Sequence, residues 1–402
     1  ALMDALAVLH TIPRQMVFLA RSDIFNRPLF SKILTFLKIM PVYRMRDGYS
    51  ALAGNKEVFE ETVAVLQAKR PLVILPEGNH KGLRKLRQLK KGLARIAFQS
   101  EEATGYSLGI KIIPVGLDYS RYEKSGSELL IKYGKPIAVA DYIELYKKSP
   151  VHAINSLMAD VKQKISELMI DIQQEEYYDL VDILRNSYSF TLLRERGESP
   201  WYWNRYQAEI DVVHLMDDII KKHKDNHPEK LNALFEVCKK YRDLVIESKV
   251  HFRIIEMAPF KLWKLLVQGI LFIALSPLFL YGLINNFLPY IIPKIISKKV
   301  KDIQFVSSFK YVISLITFPL LYLIQTLLFY FLVPLPGYYS WIYLASVIFS
   351  GIFSSRYRML WRRFIKRVRF KSLGWRRKKL RAKIIRERER IEVMMKALRD
   401  TL

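Results

Sequence analysis

Pro71-Leu72-Val73-Ile74-Leu75-Pro76-Glu77-Gly78 is an apolar run that stops at a Pro-Glu-Gly turn. A short continuous run of Leu, Val and Ile suits a strand buried on both faces. Pro76 has no N–H to continue a ladder, and Gly78 lets backbone come close to whatever sits beside it. Glu77 is thereby left at the carboxyl end of a strand. Alone, this is a turn; its neighbours give it weight. Residues 16–20, 39–44, 110–115 and 129–133 read as further buried strands, and 24–38 and 56–69 carry apolar residues at helical spacing. The alternation predicts an α/β domain over residues 1–145, a mixed sheet flanked by helices, with reactive groups in the turns at strand ends.

A chain of 402 residues exceeds what one core usually serves, so more than one module is expected. A net charge of +27 demands an acidic partner: nucleic acid, an anionic membrane or a phosphorylated substrate. The 51% hydrophobic content is concentrated between Trp263 and Phe353, which decides for a phospholipid membrane. Cys238 is the single cysteine, which excludes an internal disulfide and a cysteine-rich metal cluster. No basic-then-apolar signal peptide opens the chain, and Ala1-Leu2-Met3-Asp4 lacks an initiator Met. The expectation is that these residues start inside a longer protein.

Residues 146–255 read as polar helices, a helical insert or lid, broken by Gly197 and Pro200 and again at Pro228, with no identifiable chemistry. Residues 256–355 form a membrane region: 263–283 is long enough to cross a bilayer and runs on into 287–296, with further spans at 311–333 and 338–353. Lys294, Lys298, Lys299, Lys301 and Lys310 follow the first segment, and seven Lys and Arg between Arg356 and Arg369 follow the last. Counting Lys and Arg near span ends puts both groups on the cytoplasmic side. A cytoplasmic N-terminal domain then requires an even number of crossings before Lys294. That makes 262–296 a hairpin or re-entrant pair hinged near Pro277 or Asn285. Residues 356–402 are a basic cytoplasmic helical tail bearing Trp361, Phe364, Phe370 and Trp375. Following an apolar span, it meets anionic headgroups rather than nucleic acid. The mixed charges of Arg386 to Arg390 suit a solvated helix or a partner contact. Asp211, His214, Asp217 and Asp218 share helical spacing but read as a solvated face, not a metal site; His152, His223, His227 and His251 read as surface residues.

The Pro-Glu-Gly turn lies in an ordered set. Upstream, Ile39-Met40-Pro41-Val42-Tyr43-Arg44 is a strand delivering an arginine. Downstream come Lys90-Lys91-Gly92-Leu93-Ala94 and Ile112-Ile113-Pro114-Val115-Gly116. In this order the chain resembles the glycerol-3-phosphate and lysophosphatidate acyltransferase superfamily, most closely its fungal-type branch and bacterial relatives. The resemblance implies a histidine and aspartate block, an arginine for the substrate phosphate, a Phe-Pro-Glu-Gly-Thr-Arg block and an Ile-Pro-Val strand. Blocks two to four match Arg44, Leu75 to Gly78, and Ile113 to Val115, with Pro76 and Pro114 as structural positions.

By that likeness Asp4 is the aspartate of the first block, and its histidine lies upstream of residue 1; His10 does not substitute. A chain that begins at Ala1 is accordingly expected to be inactive as it stands. Asp4 also suits a helix N-cap. The implied roles are Asp4 orienting the imidazole, Glu77 and Gly78 placing the glycerol backbone, and Arg44 or Arg46 holding phosphate. Asn79-His80 stands where the family has Thr-Arg, so either Lys81 or Arg84 is expected to supply the missing cation or the phosphate rests on Arg44 alone. The implied reaction is acyl transfer from acyl-CoA or acyl carrier protein to a phosphorylated glycerol acceptor, with no cofactor and no metal. The alternatives are a catalytically silent membrane scaffold of the same fold and a membrane-tethered nucleic-acid binder.

Overall fold

The computed structural model describes residues 2–25, 28–42, 49–77, 82–120, 128–257, 260–300 and 303–402. Packing divides the chain into two units, residues 1–120 with 129–171, and residues 121–128 with 172–402.

The first unit opens with helix α1 (Leu2–Thr11) and alternates β1 (Val17–Arg21), α2 (Pro28–Phe36), β2 (Ile39–Val42), α3 (Tyr49–Gln67) and β3 (Leu72–Val73). These strands form a parallel sheet in the order β2-β1-β3, with Phe18 opposite both Ile39 and Val73. β2 and β3 flank β1 and all three run parallel, so the turns that follow them lie at the same, carboxyl end of the sheet. Val8, Met16 and Phe18 are buried between α1 and the sheet, against Ile39 and Val73. The expected mixed sheet is instead split into small pieces. Beside the parallel one stand two antiparallel pairs, β4 (Lys111–Ile112) with β7 (Ile137–Ala138) and β5 (Val115–Tyr119) with β6 (Leu129–Tyr133). Pro114 separates β4 from β5, and its carbonyl accepts a 2.9 Å bond from Gly134 N.

Helices α4 (Gly92–Ala103), α5 (Ile143–Lys148) and α6 (Pro150–Ser166) complete this unit. On α4, Ala94, Ala97, Phe98 and Glu101 are buried at helical spacing. They meet Leu157 and Val161 of α6, and Phe98 stacks on Tyr146 of α5 at 4.4 Å. The segment after α6 is pressed onto the antiparallel pair: a Cβ on Gly116 would stand 2.6 Å from Leu168 O. Leu168 to Asp171 therefore belong with the first unit, as does α6.

In the second unit α7 (Tyr178–Ser187), α8 (Ser189–Glu195), α9 (Tyr202–His223), α10 (Pro228–Ser248) and α11 (Phe252–Glu256) form a helical bundle around Leu180, Leu184, Tyr206, Ile210, Met216, Leu234 and Tyr241. Four helices follow: α12 (Leu262–Asn285), α13 (Phe287–Ser297), α14 (Ile303–Leu332) and α15 (Tyr338–Arg376); α16 (Lys378–Arg399) ends the chain. Among the described residues, Leu262–Asn285 and Val306–Leu332 are long and apolar enough to cross a membrane. At 1.5 Å per residue they span roughly 36 and 40 Å, against about 30 Å of hydrocarbon. Few of the residues in these two stretches are fully buried inside the protein.

Helix α12 passes unbroken through Pro277. Proline cannot donate to the carbonyl one turn back, and the Ser276 hydroxyl takes that acceptor, Ile273 O, at 2.7 Å. The chain turns instead at Asn285-Asn286. Helices α12 and α15 run antiparallel: Phe364 lies at Gly269, Tyr357 OH donates to Phe272 O, and Asn286 Nδ2 reaches Val347 O. One turn into α13, Tyr290 meets Arg358, so α13 has doubled back towards the end from which α12 set out. The turn is held by polar bonds. Gln325 Nε2 donates to Asn285 O at 2.9 Å, Tyr343 OH to Asn285 Oδ1 at 2.9 Å, and Tyr322 OH to Asn286 Oδ1.

Two expectations are corrected here. The end of the basic tail is not a solvated arm: α16 buries Leu380, Ile384, Ile391, Met395 and Leu398 and packs on α10 and α9. Its partner is the chain's own helical region, to which Arg388, Glu392 and Arg399 add ion pairs with Glu256, Arg194 and Glu195. Nor is His223 a surface residue; it is buried, with Nε2 at 2.9 Å from Thr401 Oγ1.

Gly116 supplies a test of this packing. Gly116→Ala should destabilise the first unit by about 1–3 kcal/mol in chemical unfolding, because a backbone carbonyl has to give way. Gly92→Ala, where an added Cβ meets nothing within 4 Å, should not. Equal effects at the two positions would contradict the close approach of Leu168.

Candidate active site

Asp4 is the third residue of α1, inside its first turn rather than at a cap, where a carboxylate complements the helix dipole. Its Oδ1 accepts a 2.6 Å hydrogen bond from Tyr119 OH. Tyr119 ends β5, so this bond joins the first helix to the strand that continues from Pro114 and Val115. His10 is exposed in the last turn of α1, roughly 9 Å along the helix from Asp4.

Glu77 follows β3. The loop after it is closed at its neck, where Lys90 N donates to Pro76 O at 2.9 Å. Within that loop Leu86 is buried, and its N–H donates to Asp171 Oδ1 at 2.7 Å. Asp171, itself buried, thus fixes the loop from the far end of the unit. Glu77 is partly buried, and burial pushes its carboxyl above the ordinary 4.5; the charge of Asp171 adds to this, Arg87 opposes it, and Asp4 raises it further. Asp171, Arg87 and Asp4 therefore each lie within electrostatic reach of Glu77.

The cations of the loop divide by what they touch. The Arg84 guanidinium is paired with buried Asp118, and its Nη2 donates to Tyr119 O at 3.4 Å. It braces the end of β5 that carries Tyr119. Arg87 Nη1 is buried, with no hydrogen-bond partner among the described residues. A buried guanidinium N–H without an acceptor is costly, and an anion placed there removes the penalty. Arg44 and Arg46, which follow β2, and Gly78 and Lys81, which follow Glu77, lie outside the described residues.

Asp171, Tyr119 and Arg87 were not among the residues expected from sequence. Tyr119 and Asp171 sit far from the Pro-Glu-Gly turn in the chain and come to it only through the β5–β6 pair and the Leu168 contact. Arg87 had a weak signal, as one of several cations after the glycine. Cys238 is buried in the helical unit, which pushes its thiol far above the range in which it would act as a nucleophile.

Residues 1–118 match the acyltransferase family model. That stretch is an acyltransferase-family domain, and it contains both Asp4 and Glu77. Glycerol-3-phosphate O-acyltransferase 2 of Saccharomyces cerevisiae is 29% identical over 118 residues, covering 29% of this chain and 16% of its own length. A 1-acyl-sn-glycerol-3-phosphate acyltransferase of Cocos nucifera is 25% identical over 167 residues, 40% of this chain and 50% of its own. The chain thus spans at most half the length of these curated relatives. No solved structure matches significantly.

The raised carboxyl of Glu77 gives a pH test. The folded state holds this proton more tightly than the unfolded one. Stability is therefore lost as pH rises from the unfolded value through the folded one. Glu77→Gln should raise the unfolding temperature relative to the parent at about pH 8 and leave it unchanged at about pH 4. A variant less stable at the higher pH would contradict the crowding of acids around this residue.

Proposed function

We propose that this chain is the catalytic and anchoring part of a membrane-bound O-acyltransferase of glycerolipid synthesis. It moves a fatty acyl group from a thioester, carried on coenzyme A or acyl carrier protein, to glycerol-3-phosphate or 1-acylglycerol-3-phosphate. The observation that carries the proposal is that Asp4 and Arg87, with its buried and unsatisfied N–H, both act on Glu77 within the stretch that matches the acyltransferase family model.

A glycerol hydroxyl is a poor nucleophile and needs a base; the family likeness assigns that part to a histidine upstream of Ala1. Asp4, steadied by Tyr119, orients the imidazole and stabilises its protonated form. The hydroxyl oxygen attacks the thioester carbonyl while its proton passes to the imidazole. The C–S bond then breaks, and the thiol leaves with that proton. Glu77 accepts hydrogen bonds from the glycerol backbone, and Gly78 allows its close approach. Arg87 takes the acceptor phosphate together with Arg44 or Arg46; Arg84, engaged by Asp118, serves structure instead. Helices α12 and α14 anchor the chain in the bilayer, with the positive charge around α13 and α15 on the cytoplasmic side.

Asp4→Asn should lower kcat by on the order of 10²- to 10⁴-fold with little change in KM. Arg87→Gln should raise KM for the phosphorylated acceptor about tenfold or more and spare a non-phosphorylated acceptor. Equal loss with both acceptors would remove Arg87 from the phosphate. If the folded parent protein, with its upstream residues, turns over neither acceptor, the silent-scaffold alternative holds.

A further inference from the structure

Four arginines from three parts of the second unit meet where α12 begins. Arg205 stands in the first turn of α9, Arg253 is the second residue of α11, and Arg363 and Arg367 lie one turn apart on α15. Glu128 bridges two of them, at 4.0 Å from Arg253 Nη1 and 3.3 Å from Arg363 Nη2. Arg205 Nε reaches Glu209 at 3.1 Å, but Glu209 also serves Arg185 at 2.7 Å, so its charge is shared. Arg367 lies over the Phe260 ring, and its Nε is buried with no hydrogen-bond partner among the described residues. Burial and repulsion from Arg205, Arg363 and Arg367 lower the Arg253 pKa, with Glu128 acting against them. Among the described residues, positive charge thus exceeds the carboxylates that touch it, in a partly desolvated place where like charges repel strongly.

The position of this surplus tells what resolves it. Phe364, on the same turn of α15 as Arg363 and Arg367, packs on Gly269 and Phe272 of α12. The cluster therefore sits at the foot of the apolar helices, level with Lys261, Trp263 and Lys264. Trp263 is 61% exposed, and one turn before Arg205 so is Trp201, at 76%. Exposed indoles beside cations at the end of an apolar helix mark a membrane–water boundary.

We propose that Arg205, Arg253, Arg363 and Arg367 form a socket for the phosphate of an anionic phospholipid headgroup. The lipid phosphate accepts from the guanidinium forks, the orphaned Arg367 Nε–H included, and neutralises the surplus. The acyl chains of that lipid lie along α12, whose outer face is bare. The socket is separate from the residues proposed for catalysis and does not require that proposal. It goes further than general attraction of a basic tail, because two of its arginines come from α9 and α11.

The test uses the full chain in detergent, read by native mass spectrometry and thermal unfolding. Phosphatidylglycerol and phosphatidylcholine of identical acyl chains are added separately. The parent should retain one phosphatidylglycerol at least about tenfold more strongly than phosphatidylcholine, and that lipid should raise its Tm. Arg253→Gln/Arg367→Gln should lose both effects. Arg376→Gln/Arg386→Gln removes the same charge from exposed positions and should keep them. If the first double variant does not fold, Arg367→Lys keeps the charge but not the Nε–H, and should weaken retention several-fold. Equal losses in both double variants would reduce the effect to diffuse electrostatics and overturn the socket. So would displacement of the lipid by millimolar inorganic phosphate or coenzyme A, which would assign the cluster to a soluble phosphate.

Discussion

The buried carboxylate of Asp171 is the fixed point of the first unit. It holds the loop after Glu77 through the Leu86 N–H, and it is the charge that most raises the Glu77 carboxyl after burial itself. It reaches that place because Leu168, three residues earlier, is seated on Gly116 with no room for a Cβ. The glycine after Ile-Pro-Val and the acid after the last helix are thus parts of one clamp. The β5–β6 pair, the Pro-Glu-Gly loop and the start of α1 are all drawn to it. Tyr119 extends the clamp to Asp4 and Arg84 braces Tyr119, so the two acids are positioned by one set of contacts.

The second unit solves a different problem, that of turning a chain inside an apolar bundle. Asn286 is buried and Asn285 partly so, and Tyr322, Gln325 and Tyr343 hydrogen-bond to their carbonyl oxygens. Gly282 lets α12 approach α15 closely, since a Cβ there would fall 2.3 Å from Ser350 O. The cations stay at the other end. The arginines beside Phe260 and Phe364 belong to that boundary, where burial of charge is tolerable if an anion shares it.

The sequence was most legible where chemistry is local. The strand ahead of the Pro-Glu-Gly turn (shorter than expected, Leu72–Val73 alone), the breaks at Pro200 and Pro228, and the lengths of the apolar runs all follow from residue types a few positions apart. Pro277 was a plausible hinge and is not one, because the Ser276 hydroxyl relieves it; the asparagine pair turns the chain instead. The strand placed at 110–115 proved to be two, with β5 running on to Tyr119, which hid the partner of Asp4. Arg84 reads as a phosphate ligand until Asp118 is seen beside it. Asp171 and Arg87 carry no local signature, since both depend on contacts made across the unit. His223 and α16 misled for the same reason: polar composition does not reveal that a helix has its own chain for a partner.

The proposal made for this chain is that a phosphorylated glycerol is acylated beside Asp4 and Glu77. The most direct measurement is a single-turnover assay of the full-length protein, in bilayers, with a labelled acyl thioester and glycerol-3-phosphate. The account predicts that label appears in 1-acylglycerol-3-phosphate, or, if the second step is its own, in phosphatidate when 1-acylglycerol-3-phosphate is supplied. Label remaining on the thioester with both acceptors, from protein shown to be folded, would contradict it.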